Sequence, residues 1–220
     1  MTRPRRLLSG LALVLIVVGG AVAWRKALWP QIAPKNFGVV QVDDQRQIYR
    51  AGELTVSATE KVVERFGVRT IIDLGAHEPG TPEERIAQRT AEALGVRRIR
   101  LDLEGDATGD PNEYVEALRI MTDPAAQPVL VHCAAGAERT GCLVAMYRQI
   151  EQGWDDDLAY RETRLYRHSP ERNPRVREML DRYTGAVERA LETGEPIEYD
   201  PANPSGSEPA ASSEDASEGK

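Results

Sequence analysis

A cysteine and an arginine lie close together between an apolar run and a stretch with helical spacing. Residues 129–132 (VLVH) are typical of a central strand, Cys133 follows them, and Arg139 opens the helical stretch. A loop that ends at a helix N-terminus directs its backbone N–H groups towards an anion. Gly136 permits the tight backbone of such a loop, and the guanidinium of Arg139 can hold two phosphate oxygens. Because the same field favours the thiolate form of Cys133, these residues predict a phosphoryl-transfer site.

The segment HCAAGAERTG (residues 132–141) matches the HCxxxxxR[ST] signature of protein tyrosine and dual-specificity phosphatases. The chain resembles this family more loosely from about residue 37 to residue 191. The resemblance implies a cysteinyl-phosphate intermediate, in which Cys133 attacks phosphorus and Arg139 stabilises the equatorial oxygens. It also implies that Thr140 assists the departure of the thiolate and that His132 orients the loop. The residues that would bind the phosphate are Ala134, Ala135, Gly136, Ala137, Glu138 and Arg139.

A carboxylic acid on a nearby loop is needed to protonate the leaving oxygen. The family places an aspartate upstream of the cysteine, and Asp106 is favoured because it lies in a loop between two glycines. Asp102 is the next candidate, although it falls within a strand pattern. Asp110 precedes a proline and is best explained as a helix N-cap.

Glu138 is a different kind of candidate for the acid. Some bacterial and phosphoinositide phosphatases carry an acid just before the loop arginine in a GKDRTG pattern, and this chain has GAERTG (residues 136–141). Ala137 replaces the lysine, which removes a contact for additional phosphates and counts against a phosphoinositide substrate.

Alternating strand and helix patterns predict the element types of the middle segment, residues 30–193. We expect an α/β fold with a central, mostly parallel sheet and helices on both faces, of the compact dual-specificity phosphatase type. Residues 38–42 and 47–51 are predicted to form a hairpin. Ser57 and Glu60 resemble a capping box at the start of the next helix.

The segment 1–29 is predicted to anchor the chain in a membrane. Residues 7–24 carry no charge and would form a helix of roughly 27 Å, close to the ~30 Å hydrocarbon core of a bilayer. Three arginines precede this run, which predicts a single-pass protein whose domain lies on the extracytoplasmic side, as in a bacterial inner membrane protein facing the periplasm. A cleavable signal that ends at residues 21–23 is the alternative. Arg25 and Lys26 leave the opposite orientation open.

Composition limits the partners and cofactors. The formal net charge of −7 gives no reason to expect nucleic acid, and the tail (residues 194–220) is predicted to be a disordered acidic segment. The three histidines and two cysteines have no metal-ligand spacing, so we expect neither a metal ion nor another cofactor. The expected partner is a phosphorylated protein or a small phosphomonoester.

Other functions remain open at this point. A sulfurtransferase of the rhodanese class also places a cysteine in a loop before a helix, but its loop is usually one residue shorter. A non-catalytic module that binds phosphorylated partners would keep the loop without turnover, and a protein whose main role is docking would rely on its tail. The sequence favours a metal-free phosphatase that acts on phosphotyrosine, and also on phosphoserine or phosphothreonine, in proteins.

Overall fold

A computed structural model describes residues 34–201 as a five-stranded sheet covered by helices on both faces. The strands are β1 (Gly38–Val42), β2 (Gln47–Ala51), β3 (Thr70–Asp73), β4 (Arg97–Arg100) and β5 (Val129–His132). The helices are α1 (Val56–Phe66), α2 (Pro82–Ala93), α3 (Pro111–Thr122), α4 (Glu138–Gln152), α5 (Asp156–Leu165) and α6 (Arg175–Thr193), with a 3₁₀ turn at Pro124–Ala126.

The strand order is β1-β2-β5-β3-β4, which puts β5 at the centre of the sheet. The β1–β2 hairpin is antiparallel and every other pair is parallel, so the predicted mostly parallel sheet is confirmed. At the carboxyl end of β5, His132 is paired with Ala51 on one side and Asp73 on the other. The loop that follows β5 therefore emerges between the ends of two neighbouring strands, where ligands of open α/β sheets bind.

Alternation along β5 separates two apolar layers. Val129 and Val131 belong to the larger core, which α3, α4 and α6 cover, whereas Leu130 belongs to the smaller core under α1 and α2. All three side chains are fully buried, and burial of each contributes about 1.5–3 kcal/mol. The larger core fixes α4 against the sheet and hence the position of the loop between β5 and α4.

The predicted helix N-cap agrees with the structure at α3 and differs at α1. Thr81 caps α2 and Asp110 caps α3, each followed by a proline in the first turn. The capping box expected from Ser57 and Glu60 is wrong, because α1 begins earlier. Thr55 has an extended backbone, and its side chain accepts a hydrogen bond from the N–H of Ala58.

The prediction of a membrane-spanning helix is corrected. Within residues 34–201 no helix is both long enough and apolar enough to cross a bilayer. The segment 7–24, on which the prediction rested, lies outside the described residues. The fold class of residues 34–201 is that of the α/β domain, and the single-pass, extracytoplasmic localisation is not retained.

Most of the predicted disordered tail, 194–220, also lies outside the described residues, from residue 202 onwards. Before that point the chain follows α3. The backbone N–H of Ile197 donates to Asn112 Oδ1 at 2.8 Å, and Asn112 Nδ2 donates to the carbonyl of Ile197 at 2.9 Å. The side chain of Ile197 packs against the larger core.

Candidate active site

The segment of residues 133–139, called the Cys133 loop below, comprises the connection from the central strand β5 to α4 and the first two residues of α4. Cys133 is buried, with 2% of its surface exposed, and the backbone N–H of Gly136 donates to its Sγ at 3.2 Å. Ala137 occupies the N-cap position of α4 and provides no side-chain cap. The first N–H groups of the helix are therefore left for an anion, and the helix dipole favours a negative charge there.

Three donors from outside the Cys133 loop hold its carbonyl groups. The contacts run from the backbone N–H of Glu53 to Ala134 (3.1 Å), from Asn36 Nδ2 to Ala135 (2.9 Å) and from Arg50 Nη2 to Gly136 (2.8 Å). The C=O and N–H of a trans peptide point in opposite directions. Because each carbonyl is held on the outside of the loop, the N–H groups of residues 135–137 are turned towards its interior.

Gly136 is required by the path of the loop. Its φ of +69° lies in the left-handed region that favours glycine. A Cβ at this position would lie 2.5 Å from the backbone nitrogen of Gly52 and 2.6 Å from the carbonyl of Ala51. The loop and the end of β2 therefore approach each other as closely as two backbones can.

Arg139 lies in the first turn of α4, and one side of its guanidinium is fixed by backbone carbonyls. Its Nη1 donates to the carbonyls of Leu74 (2.9 Å), Leu103 (3.3 Å) and Gly75. Its Nε is buried and finds no hydrogen-bond partner among residues 34–201, and the same is true of Thr140 Oγ1. A buried donor without a partner is costly, so both groups fit a site that binds an oxyanion.

His132 lies beneath the Cys133 loop and beside a buried ion pair that sequence reasoning missed. Asp73 Oδ2 accepts a hydrogen bond from Arg98 Nη2 at 2.6 Å and lies 3.7 Å from His132 Nε2. Burial lowers the pKa of His132, which keeps the ring neutral near pH 7. The parallel register places Asp73 opposite His132. Asp73 ends a buried strand, and an acid in such a position was the sequence signal for this ion pair.

Burial alone would raise the pKa of Asp73. His132, the N–H of Ala76 and Arg98 act in the opposite sense, and the pKa of Asp73 lies below its ordinary value. Asp73 is therefore an anion at neutral pH. The side chain of Arg98, of which 3% is exposed, supplies the opposite charge.

Arg50, also missed from the sequence, lies on the outer side of the Cys133 loop. It is 1% exposed, and its guanidinium carbon lies 3.6 Å from the centre of the Tyr166 ring. Burial lowers the pKa of Arg50 to about 10, so the side chain remains a cation at neutral pH. An arginine within a buried strand pattern, in QIYRA (residues 47–51), was the available signal.

The candidate acids occupy different environments. Asp106 is half-buried, and its Oδ1 accepts from the backbone N–H (3.0 Å) and the hydroxyl (2.7 Å) of Thr108. Asp102 is exposed and pairs with Arg100. Asp110 caps α3 as expected.

Glu138 is fixed by two donors on the side of α5 and α6. Its Oε2 accepts from His168 Nδ1 at 2.6 Å and from Asn173 Nδ2 at 2.9 Å. Asn173 Nδ2 also donates to the backbone carbonyl of Asp106 at 2.9 Å. His168 and Asn173 were not identified in the sequence, since neither forms part of a local motif.

The remaining cysteine is buried within α4. Both cysteines are free thiols, and burial raises the pKa of Cys142 to about 12. This environment suits a packing role for Cys142. Among the described residues no group of three or more His, Cys, Asp or Glu side chains is placed to hold a metal ion.

The chain is similar to known phosphatases. A family model described as DSP-PTPase phosphatase fused to NAD+ kinase matches residues 30–181. Inositol diphosphatase DSP3 of Arabidopsis thaliana is 33% identical over 125 residues, which cover 55% of this chain and 57% of that protein. Dual specificity protein phosphatase TpbA of Pseudomonas aeruginosa is 26% identical over 166 residues, 71% of this chain and 70% of that protein. The chain spans about half the length of the plant and yeast relatives that it matches.

Solved structures show the same fold. The core catalytic domain of the PP-IP phosphatase SIW14 from S. cerevisiae superposes with a TM-score of 0.60 at 25% identity, covering 74% of this chain and 94% of that chain. P. aeruginosa TpbA, at 22% identity and a TM-score of 0.54, shares the fold over 66% of this chain and 86% of that chain. Since the family model covers more than half of the sequence, the chain belongs to the DSP-PTPase family of cysteine-dependent phosphatases.

Proposed function

We propose that this protein hydrolyses phosphomonoesters through a cysteinyl-phosphate intermediate at Cys133, without a metal ion. One observation carries the proposal: the backbone N–H of Gly136 donates to Cys133 Sγ at 3.2 Å, in the same loop whose Arg139 Nε is buried without a partner within residues 34–201. A thiolate below inward N–H groups and a guanidinium provides both a nucleophile and a binding site for the charge of the transition state.

The reaction has two steps. In the first, the thiolate of Cys133 attacks phosphorus, the bond from phosphorus to the leaving oxygen breaks, and the carboxylic acid of Asp106 gives that oxygen a proton. In the second, water attacks the phosphorus, the S–P bond breaks, and the carboxylate of Asp106 takes a proton from the water. Thr140 Oγ1 donates to the thiolate as it leaves, and inorganic phosphate is released.

The substrate class that we favour is phosphotyrosine, and also phosphoserine or phosphothreonine, in proteins. The Cys133 loop presents alanine at positions 134, 135 and 137, so it offers a second phosphate no cation. Glu53, whose backbone N–H contacts the loop, and the exposed Glu104, which follows the Arg139 contact Leu103, add negative charge nearby. Such surroundings favour a substrate with a single phosphate group.

An inositol diphosphatase is the second candidate. Relatives of that name from rice, Arabidopsis and yeast match the chain at 28–33% identity. A substrate of this kind carries many phosphates, and Arg172 and Arg175 are exposed basic residues near Asp106 and Glu138 that could receive them.

The test compares four substrates in the presence of a chelator: p-nitrophenyl phosphate, a phosphotyrosine peptide, a phosphoserine peptide and a diphosphoinositol polyphosphate. We expect turnover of p-nitrophenyl phosphate and of both phosphopeptides, and complete loss of that turnover in Cys133→Ser. The Cys133→Ser protein should still bind the peptide. A wild-type protein that binds the peptide without turnover would be a binding module, and thiosulfate turnover would indicate a sulfurtransferase. Preference for the diphosphoinositol substrate would establish the second candidate.

A further inference from the structure

Asn173 lies in the connection between α5 and α6 and contacts three parts of the site. Its Nδ2 donates both to Glu138 Oε2 (2.9 Å), in the Cys133 loop, and to the backbone carbonyl of Asp106 (2.9 Å). Its Oδ1 accepts from the backbone N–H of Arg175 at 3.0 Å, at the start of α6. One half-buried amide therefore joins the nucleophile loop, the loop of the proposed acid and a long helix.

The Glu138 side of this link is held in place. His168 is buried, and its Nδ1 donates to the same oxygen, Glu138 Oε2, at 2.6 Å. The other ring nitrogen, Nε2, lies 3.1 Å from the hydroxyl of Tyr160 in α5. In a neutral ring that donates from Nδ1, Nε2 accepts from the hydroxyl, so both ring nitrogens of His168 have a partner. Glu138 is thus a fixed acceptor, which orients the amide of Asn173.

The Asp106 side is a tight turn, residues 104–108, called the Asp106 loop below. The turn is closed by the N–H of Glu104, which donates to the carbonyl of Thr108 at 2.9 Å. Ala107 has a φ of +80° and is fully buried, and its carbonyl accepts from the hydroxyl of Tyr114 in α3 at 2.6 Å. Tyr114 attaches the loop to the core, whereas Asn173 attaches it to the Cys133 loop.

From this geometry we propose that Asn173 is a positioning residue, which places the Asp106 loop relative to Cys133 so that the acid meets the leaving oxygen. The inference rests on the proposed function. Proton transfer requires the acid to lie within hydrogen-bond distance of the leaving atom, and a displacement of about 1 Å can cost a hundredfold in rate. The hydrogen bonds of Asn173 to Glu138 and to the carbonyl of Asp106 set the distance between the Asp106 loop and the Cys133 loop.

Asn173→Asp is the informative variant. It keeps Oδ1 as the acceptor for Arg175 but replaces the donor by an acceptor that faces Glu138 and the carbonyl of Asp106. Asn112→Asp is the matched control, because Asn112 Nδ2 likewise donates to a carboxylate (Asp110, 2.7 Å) and to a carbonyl (Ile197, 2.9 Å), away from the Cys133 loop.

The measurement compares turnover of phenyl phosphate, whose leaving group needs a proton, with that of p-nitrophenyl phosphate, whose leaving group needs it far less. We expect Asn173→Asp to lower kcat for phenyl phosphate about tenfold more than kcat for p-nitrophenyl phosphate. It should also flatten the alkaline side of the phenyl phosphate pH–rate profile. Asn112→Asp should change kcat for the two substrates by the same factor. Vanadate binding by Asn173→Asp is measured in parallel and should stay close to that of the wild type.

The outcomes separate the two proposals. If wild-type protein hydrolyses neither aryl phosphate, the proposed function fails. If the wild type is active but Asn173→Asp lowers kcat for both aryl phosphates by one common factor, Asn173 is only structural. The positioning role is then overturned, whereas the proposed function stands.

Discussion

Arg50 Nη2 lies 2.8 Å from the carbonyl oxygen of Gly136, so a cation on the penultimate residue of strand β2 determines which way a peptide of the Cys133 loop faces. The Nε and Nη1 of Arg50 are buried without hydrogen-bond partners in the described part of the chain. The contact with the Tyr166 ring compensates for part of their desolvation. Burial of Arg50 is costly, and its hydrogen bond to the Cys133 loop explains why a buried arginine is found here.

Replacing Arg50 by methionine is expected to weaken oxyanion binding. The substitution removes a charged hydrogen bond of about 1.5–3 kcal/mol, which corresponds to at least tenfold in vanadate affinity. It also removes two unpaired buried donors, so the melting temperature should change little. Vanadate inhibition and thermal denaturation would measure the two effects.

Arg46→Met is the control for that experiment. Arg46 precedes β2 and donates to Glu151 at 2.8 Å, on the far side of α4 from the loop. We expect it to affect stability but not vanadate affinity. Wild-type vanadate affinity in Arg50→Met would contradict the assigned role.

Gly136→Ala should inactivate the enzyme. The new Cβ would meet the backbone of Gly52 at 2.5 Å, and backbone cannot move aside as a flexible side chain can. Displacement of the loop by about 1 Å would cost on the order of a hundredfold in kcat.

Gly95→Ala separates this clash from the cost of a positive φ. Gly95 has a φ of +67°, close to that of Gly136, but its Cβ would meet no atom within 4 Å. We expect it to lose about 1 kcal/mol of stability and to keep wild-type kcat. Equal loss of activity in the two variants would show that backbone strain, not the close approach to β2, is the cause.

The nucleophile loop could be read from the sequence because its chemistry is local. Cys133, Gly136 and Arg139 lie in one short segment, and the strand before them and the helix after them have clear apolar periodicity. The same periodicity gave the order of most elements. The cap of α1 was misplaced because Thr55 and Ser57 both suit an N-cap, and only the packed helix selects between them.

The residues that orient the loop could not be read in this way. Asn36 and Arg50 lie 99 and 86 positions from the carbonyls that they hold, and Asn173 lies 35 positions from Glu138. No periodicity or motif joins residues across such separations. Their roles come from the parallel register of β2 with β5 and from the packing of the α5–α6 connection, which are properties of the folded chain.

The identity of the general acid is tested by Asp106→Asn, Asp102→Asn and Glu138→Gln. We expect only Asp106→Asn to lower phenyl phosphate turnover strongly, by about 10²–10⁴-fold, with a much smaller effect on p-nitrophenyl phosphate. Asp102 is exposed and paired with Arg100, so its amide variant should behave as the wild type. Glu138→Gln weakens an acceptor for His168 and Asn173, so it should lower phenyl phosphate turnover more than p-nitrophenyl phosphate turnover, as Asn173→Asp does, but far less than Asp106→Asn. A selective loss in Asp102→Asn or Glu138→Gln as large as that expected for Asp106→Asn would move the acid there.

The ion pair beneath the loop predicts how stability depends on pH. Asp73→Asn leaves Arg98, 3% exposed, with Glu84 but without its closer carboxylate at 2.6 Å, and should lower the free energy of unfolding by ~3 kcal/mol at pH 7. The pKa of Asp73 in the folded protein lies below its ordinary value of 3.8. A carboxylate with a depressed pKa stabilises the fold above that ordinary value, and the contribution is lost as the pH falls through the folded pKa.

The difference between wild type and Asp73→Asn should therefore shrink in acid, and urea unfolding at pH 7 and near pH 3 would measure it. Asp157→Asn is the control, since the pKa of Asp157 is also lowered by Arg177 but its side chain is exposed, and solvent screens such a pair. A difference for Asp73→Asn that stayed constant from pH 7 to pH 3 would mean that the pair acts through packing rather than charge. In that case the packing of the neighbouring side chains, and not the negative charge of Asp73, would hold His132 in place.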